Sequence, residues 1–306
     1  MVEKTQFIWM NGHFVNWDDA KVHILNQTLH YSYGAFEGIR CYDTHRGPAI
    51  FRLDKHIDRL INSCKILKIE LKYSKQDLIN STKELIKRNN IKSCYIRPLV
   101  YLDYGQMGLD FRQSPVSVAI ACWPWGAYLG QEGLEKGIKC KIASFARHHI
   151  NSEMVHAKAV GNYTNSFIAK REALDCGFDE AILLDTEGYV AEGSGENIFI
   201  VKNGVLCTTP LATVLEGITR ESIINIARDF GIQVREEKFT RDELYCADEA
   251  FFTGTAAEVT PISNVDGRVI GNGARGPITK RLQDKFFDVV YGRDDKYKDW
   301  LFYVNQ

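Results

Sequence analysis

Hairpin signals mixed with amphipathic helices predict an α+β protein and argue against a doubly wound parallel sheet. The hairpins stand out at Asn11-Gly12 and Asn203-Gly204, each set between short apolar runs. The helices appear as apolar residues three and four apart, as in Ile57, Leu60, Ile61, Cys64 and Leu67. A lapse in periodicity over residues 124–130 separates two halves of this mixed character.

Each element follows in order. The first hairpin spans residues 7–15, and a second pair of strands is expected at 36–42 and 49–51 around a turn at 43–47. The Ile57 helix comes next. Another starts at Ser74, where Asp77 completes a capping-box pattern and Leu78, Leu85 and Ile86 turn inward. Cys94–Leu102 and Val116–Trp123 read as buried strands. Beyond the lapse, 139–145 is a strand, 163–176 a helix stopped by Gly177, and 181–184 a strand. The hairpin over Asn203-Gly204, a helix carrying Ile223, Ile226, Ala227 and Phe230 up to Gly231, a strand at 250–252 and a helix at 278–291 complete the chain. The expected organisation is an N-terminal domain (1–123), a linker (124–136) and a C-terminal domain (137–306).

The 306 residues, 45% hydrophobic and 25% charged, have the balance of a globular protein long enough for two domains. A formal net charge of −1 favours neither nucleic acid nor a membrane surface. The start lacks a basic region followed by an apolar core, and no run has bilayer-spanning length, so a cytoplasmic protein is expected. The eight cysteines form no CxxC pair and sit largely in apolar stretches. Free thiols, with neither disulfides nor a metal site, are the expectation.

Several segments invite a chemical reading. Gly271-Asn-Gly273-Ala-Arg-Gly276 has the spacing of a dinucleotide loop. Too little chain follows for a nucleotide domain, so a plain loop before a helix is expected. Lys158 precedes Gly161-Asn162 and a helix. Most lysines are exposed, but one held in a site can lose proton affinity and form an imine. Glu192 and Glu196 flank a small-residue turn at the mouth of an apolar hairpin. Gly217-Ile218-Thr219 opens a helix and Thr253-Gly254-Thr255-Ala256 follows a strand, so each reads either as an anion cradle or as a plain cap or turn.

Together these segments resemble the fold-type IV pyridoxal-phosphate (PLP) enzymes, in particular the branched-chain amino acid aminotransferases. The markers are Phe36-Glu-Gly-Ile-Arg40, Tyr95-Ile-Arg97, Lys158-x-x-Gly-Asn-Tyr163, Glu192-Gly-x-Gly-Glu-Asn197, Gly217-Ile-Thr-Arg220 and Thr253-Gly-Thr-Ala-Ala-Glu258. They run in order over nearly the whole chain. The resemblance implies the D-amino-acid aminotransferase-like architecture of two α/β domains, with PLP in the interdomain cleft. It implies Lys158 as the catalytic Schiff-base lysine and Glu192 as partner of the pyridine nitrogen. Tyr163 would meet the ring's 3-oxygen, and Leu215 would pack on the ring. Arg59, Gly217, Ile218, Thr219 and Thr255 would hold the phosphate. Tyr31, Phe36, Gly38, Tyr95, Arg97, Tyr128, Thr255 and Ala256 would form the substrate pocket, Tyr31 coming from the neighbouring subunit of a homodimer or a dimer-based hexamer.

The implied reaction exchanges amino groups between leucine, isoleucine or valine and 2-oxoglutarate. D-amino-acid aminotransferase and aminodeoxychorismate lyase share the fold, and the Phe36–Arg40 and Tyr95–Arg97 segments favour the branched-chain enzyme over both. The complete set of Lys158, Tyr163 and Glu192 argues against a non-catalytic PLP carrier. Two departures stand out: Glu216 where many relatives have proline, and His148-His149 upstream of the lysine.

Overall fold

The computed structural model describes residues 2–126 and 130–305. The chain divides into two compact units. The first comprises Met1–Trp125, Ala157–Gly161 and Val289–Gln306, and the second comprises Gly126–His156 and Asn162–Asp288.

In the first unit, β1 (Phe7–Met10), β2 (His13–Asn16), β3 (Gly34–Phe36), β4 (Ile39–Thr44), β5 (Gly47–Phe51), β6 (Cys94–Leu102) and β7 (Val116–Trp123) join the C-terminal strand Leu301–Tyr303 in an eight-stranded sheet. The order is Leu301–Tyr303, β5, β4, β6, β7, β1, β2, with β3 also on β6. The β1–β2 turn puts Asn11 (φ 48°) and Gly12 (φ 91°) in the left-handed region, as a two-residue hairpin loop requires. Helices α1 (Gln27–Tyr31), α2 (Leu53–Ile66) and α3 (Lys75–Arg88) complete the unit, and α3 carries the expected Ser74–Asp77 capping box.

The core packs Ile39, Cys41, Ile96, Val100, Val118 and Ile120 of the sheet against Leu53, Ile57, Leu60 and Leu85 of the helices. Because side chains alternate along a strand, Arg40, Tyr95, Arg97 and Trp123 emerge on the opposite face. The register pairs Arg40 with Tyr95 and Tyr95 with Trp123.

The single strand expected at 36–42 is interrupted between β3 and β4. Both pieces keep one register on β6, with Phe36 opposite Leu99 and Ile39 opposite Ile96. The gap falls opposite Pro98, which has no N–H to donate; it only accepts, from Glu37 N–H at 2.9 Å.

In the second unit, β8 (Ile138–Ile142), β9 (Glu180–Leu184), β10 (Val190–Gly193), β11 (Asn197–Lys202), β12 (Val205–Thr208), β13 (Val234–Glu236), β14 (Glu249–Gly254), β15 (Glu258–Val265) and β16 (Arg268–Val269) form a nine-stranded sheet. Its order is β10, β9, β8, β15, β14, β11, β12, β13, with β16 on β15. It is mixed: β8 runs parallel to β9 and β15, and β12 parallel to β13. The helices are α4 (Gln131–Lys136), α5 (Tyr163–Asp175), α6 (Ile218–Asp229), α7 (Arg241–Tyr245) and α8 (Pro277–Val290). One core cluster gathers Ile198, Ile200, Phe239, Leu244, Phe252 and Ile262. Among the described residues no helix is long and apolar enough to cross a membrane.

Two expectations about the boundaries need correction. The segment beyond Val289 belongs to the first unit, because Leu301–Tyr303 pairs with β5. So does the Lys158 segment: Ala159 bridges Ala35, and Val160 N–H donates to Gly34 O at 2.9 Å. Strand β15 escaped the sequence reading, since Pro261 inside it is an unfavourable strand signal, yet Pro261 stands opposite Phe251 in the ladder.

The glycine loop before α8 is a plain loop, as expected. Its helix start is filled by the chain's own acid: Glu249 accepts from Ile278 N–H at 3.0 Å and Thr279 N–H at 2.7 Å. A Cβ on Gly276 would lie 2.1 Å from Glu249 Cδ, so the last glycine of the motif makes room for that cap and not for a phosphate.

Candidate active site

The first unit gathers the lysine and its neighbours. Lys158 is clamped through its backbone, accepting from Phe36 N–H at 3.0 Å and donating to Ser63 Oγ at 2.9 Å. Its Nζ lies 5.0 Å from the centroid of the Phe36 ring. Burial is the largest influence on this amine, and Arg59 and Arg97 act in the same direction, against Glu37 and Tyr95. Together they bring it down to about 8, so the neutral amine becomes accessible near neutral pH.

Helix α2 supplies His56, Arg59 and Ser63, spaced to lie on one side. Fully buried Glu37 receives two of them. Arg59 Nε and Nη2 lie 2.7 and 3.0 Å from its two oxygens, and His56 Nδ1 lies 2.7 Å from Oε2. Burial pushes the Glu37 carboxyl up, but Arg59 and His56 outweigh it and hold the group well below the usual carboxylate range. For His56 the balance is opposite: burial lowers its proton affinity more than Glu37 raises it. The His56–Glu37 contact is therefore a neutral imidazole donating to a carboxylate. Arg59, expected at the phosphate, stands in a bidentate pair with Glu37.

Gly38 earns its place sterically. A Cβ there would sit 1.9 Å from Tyr95 Oη, so only glycine admits the tyrosine hydroxyl. Arg97 stands among rings, its Cζ 4.8 Å from the Phe36 centroid, 5.4 Å from Tyr95 and 6.0 Å from Trp123. It donates to Tyr95 Oη at 3.4 Å, and its buried Nε has no hydrogen-bond partner among the described residues. Tyr95 also meets Trp125 edge-on at 4.4 Å.

In the second unit, buried Glu192 sits on β10. Arg147 Nε lies 2.7 Å from its Oε1 in an ion pair whose angle falls outside hydrogen-bond geometry. Leu215 N–H and Asn197 Nδ2 approach Oε2 at 3.3 and 3.4 Å. Glu196, likewise buried, has a different environment. It accepts from Gly195 N–H at 3.0 Å, and burial with the charges of Glu180 and Glu192 pushes it up to about 8. The first intrahelical bond of α6 runs from Glu221 N–H to Gly217 O, leaving the N–H groups of Ile218 and Thr219 ahead of it. Thr255 and Ala256 form the half-buried turn between β14 and β15, and Tyr163 opens α5.

The family model for amino-transferase class IV matches residues 34–265. The chain belongs to the class IV aminotransferases. It is 51% identical over 302 residues to the branched-chain-amino-acid aminotransferase of Pseudomonas aeruginosa, covering 98% of each chain. The crystal structure of the Escherichia coli branched-chain amino acid aminotransferase superposes with a TM-score of 0.97 at 46% identity, over 99% of this chain and 100% of that one. The T.th. enzyme of the same name, complexed with N-(5'-phosphopyridoxyl)-L-glutamate, superposes with a TM-score of 0.95 at 48% identity, over 99% of each chain. Its complex with 4-methylvaleric acid superposes with a TM-score of 0.95 at 47% identity, also over 99% of each.

Within this aminotransferase fold the expected residues fall into two groups. Lys158, Arg59, Phe36, Gly38, Tyr95 and Arg97 share the first unit, and Tyr163, Glu192, Leu215, Gly217, Ile218, Thr219, Thr255 and Ala256 share the second. Tyr31 is 43% exposed at the end of α1. Tyr128 lies outside the described residues. No sequence motif marks Arg147, and Glu37 and Asn197 stand out only as members of motifs. Beyond its motif, the signal that could have found Glu37 is a charge inside an apolar run, Gly34-Ala-Phe-Glu37-Gly-Ile39.

Proposed function

We propose that this class IV aminotransferase moves the amino group between L-leucine, L-isoleucine or L-valine and 2-oxoglutarate, with PLP carried on Lys158. The observation that carries the reading is Lys158 itself: a backbone-clamped amine brought down to about 8 by burial beside Arg59 and Arg97. PLP fits the residues present. Its aldehyde needs a neutral amine, its ring nitrogen a buried carboxylate, and its phosphate free N–H groups, which Lys158, Glu192 and the start of α6 offer.

When bound, PLP supplies an electron-withdrawing ring in conjugation with the substrate nitrogen. The chain does the rest. Lys158 would hold the cofactor through its aldehyde, and its Nζ, once released, would carry the proton at substrate Cα. Glu192 holds a proton at the ring nitrogen, with Arg147 and Leu215 N–H fixing the carboxylate. Tyr163 meets the 3-oxygen and Leu215 packs on the ring. Thr219, Ile218 N–H, Thr255 and Arg59 bind the phosphate, and Gly217 lets the chain pass close by.

Tyr95 and the N–H groups of Thr255 and Ala256 take the α-carboxylate. Phe36 and Gly38, with Tyr128 and Tyr31 of the partner subunit, shape the side-chain pocket. Arg97 answers the γ-carboxylate of glutamate, which would be costly to bury unpaired. One relative accommodates both kinds of group, a phosphopyridoxyl-glutamate and a branched apolar acid.

A homo-oligomer is supported by an apolar surface on the first unit. Ile24 (74%), Leu29 (60%), Tyr31 (43%) and Leu109 (85%) are exposed there, and Gln27 Nε2 donates to Gly108 O at 2.5 Å, joining the two segments. The eight unbridged thiols support a cytoplasmic location.

The test is chemical. In the wild type, borohydride should fix the cofactor to Lys158, and L-leucine but not D-alanine should change the visible absorbance. Lys158→Ala should still bind PLP through the phosphate contacts without covalent fixation. Label found by peptide mapping on Lys141 or Lys170 would end the assignment.

A further inference from the structure

We propose that Asn197 is a positioning residue whose side chain sets the Glu192 carboxylate and the Leu215–Gly217 turn as one piece, so that the ring-nitrogen end and the phosphate end of the cofactor site are fixed together. The inference rests on the assignment of PLP made above.

Asn197 opens β11 and is buried, at 4% exposure. A carboxamide nitrogen carries two hydrogens, enough for two acceptors. Here Nδ2 donates to Leu215 O at 3.0 Å and reaches Glu192 Oε2 at 3.4 Å. Leu215 N–H approaches the same Glu192 oxygen at 3.3 Å, which closes a triangle of contacts. The other end of the amide is equally constrained. A Cβ on Gly217 would lie 1.9 Å from Asn197 Oδ1, so the amide presses against the residue that precedes α6.

The two side chains nearest in size do not do this job. Aspartate has the size but, when ionised, offers no donor and adds a like charge beside Glu192. Leucine has the bulk with neither donor nor acceptor. Glycine at 217 serves the same contact from its other side: its conformation is ordinary extended backbone (φ −75°), so closeness to Asn197, and not turn geometry, excludes a side chain. A shift in the turn therefore moves Asn197, and with it a donor to Glu192.

The consequence has a sign. Removing a donor from a carboxylate raises its proton affinity. Glu192 would then draw the proton away from the ring nitrogen, the ring would withdraw electrons less strongly, and the cofactor's imine nitrogen would become more basic. A residue that merely supported β11 would lower stability without this change.

The test uses Asn197→Ala and Gly217→Ala, which attack one contact from opposite sides. For the holoenzyme of each we measure the pH midpoint of the visible absorbance change and the dissociation constant for PLP, and for each apoprotein the affinity for inorganic phosphate. Both variants should raise the midpoint by roughly one pH unit and weaken PLP about tenfold, as loss of a hydrogen bond to a charged group does. Phosphate alone should bind more weakly to both apoproteins. The double variant should show much less than the sum of the single effects.

If either variant, folded by circular dichroism, keeps the wild-type midpoint and phosphate affinity while only its melting temperature falls, Asn197 is structural and the proposal fails. Additive effects in the double variant would overturn it as well. A wild-type protein without PLP absorbance, or without label at Lys158, would instead refute the assignment of function, and the two failures are thereby distinguished.

Discussion

Each unit of this aminotransferase buries a carboxylic acid beside its expected site residues, and the two acids behave oppositely. Glu37 in the first unit meets Arg59 and His56 and is held far below the usual carboxylate range. Glu196 in the second unit faces Glu180 and Glu192 and is pushed up to about 8. Both lose water to a similar degree, so burial does not decide the outcome; the company does. Lys170, which acts to lower Glu196, is engaged with Glu180 at 2.6 Å and does not reverse the result.

The largest expected effect lies on the Glu37 side. Glu37→Gln keeps the shape and removes the charge, leaving Arg59 with its chain-borne counter-ion gone. Breaking a buried pair from one side costs about 3–5 kcal/mol, so the urea midpoint at pH 7 should fall accordingly. The folded-state affinity for this proton is depressed, so its contribution is present above the ordinary glutamate value and is lost as pH falls below it. The difference between wild type and variant should therefore shrink in acid. A difference that is the same at pH 4 and pH 7 would contradict the pairing.

This contrast marks what the sequence can and cannot disclose. Strands β6 and β7 match their expected ends because their apolar runs are long and bounded by turn residues. The lysine, both glutamates of the small-residue turn and the start of α6 were singled out by the motifs that carry the family resemblance. Glu37 was visible only as a motif letter, because its partners lie 19 and 22 residues away, on a helix whose facing is set by packing. Arg147 left no signal: its pairing with Glu192 joins a loop after β8 to β10, a contact between distant segments. The C-terminal strand was hidden because only three residues pair, and they pair with β5 near the opposite end of the chain.

The cations repeat the comparison on a smaller scale. Arg59 and Arg147 each have a carboxylate, whereas Arg97 has aromatic faces and, among the described residues, no acid in ion-pair range. A cation placed this way is available to a substrate. Arg97→Met retains much of the volume and should cost the glutamate half-reaction about 1.5–3 kcal/mol, roughly 10- to 150-fold in efficiency. The leucine half-reaction should change far less. Single-turnover measurements of the two separate the cases, and equal losses in both would make Arg97 a support for the fold or the cofactor.

The smallest effect on turnover, and the one that most sharpens the contrast, belongs to Glu196. Its folded-state proton affinity is raised, from an ordinary value near 4.5 to about 8. Between these limits the folded chain holds a proton that the unfolded chain has released. Stability must then fall as pH rises through that window, by about 1.4 kcal/mol per unit where the difference is complete, and the slope should vanish above about 8. Glutamine at this position carries no titrating proton in either state. Glu196→Gln should therefore gain on the wild type in melting temperature as pH rises from 5 to 8, whatever its offset at pH 5. Turnover near neutrality should stay close to wild type, because the native acid is already mostly uncharged there. Glu192→Gln should instead lose turnover, since its charge faces Arg147 and, in the proposed mechanism, the protonated ring nitrogen. Parallel melting curves for Glu196→Gln and wild type would mean that Glu196 is ionised at neutral pH, and that a cation from outside the Glu180–Glu192 cluster reaches it.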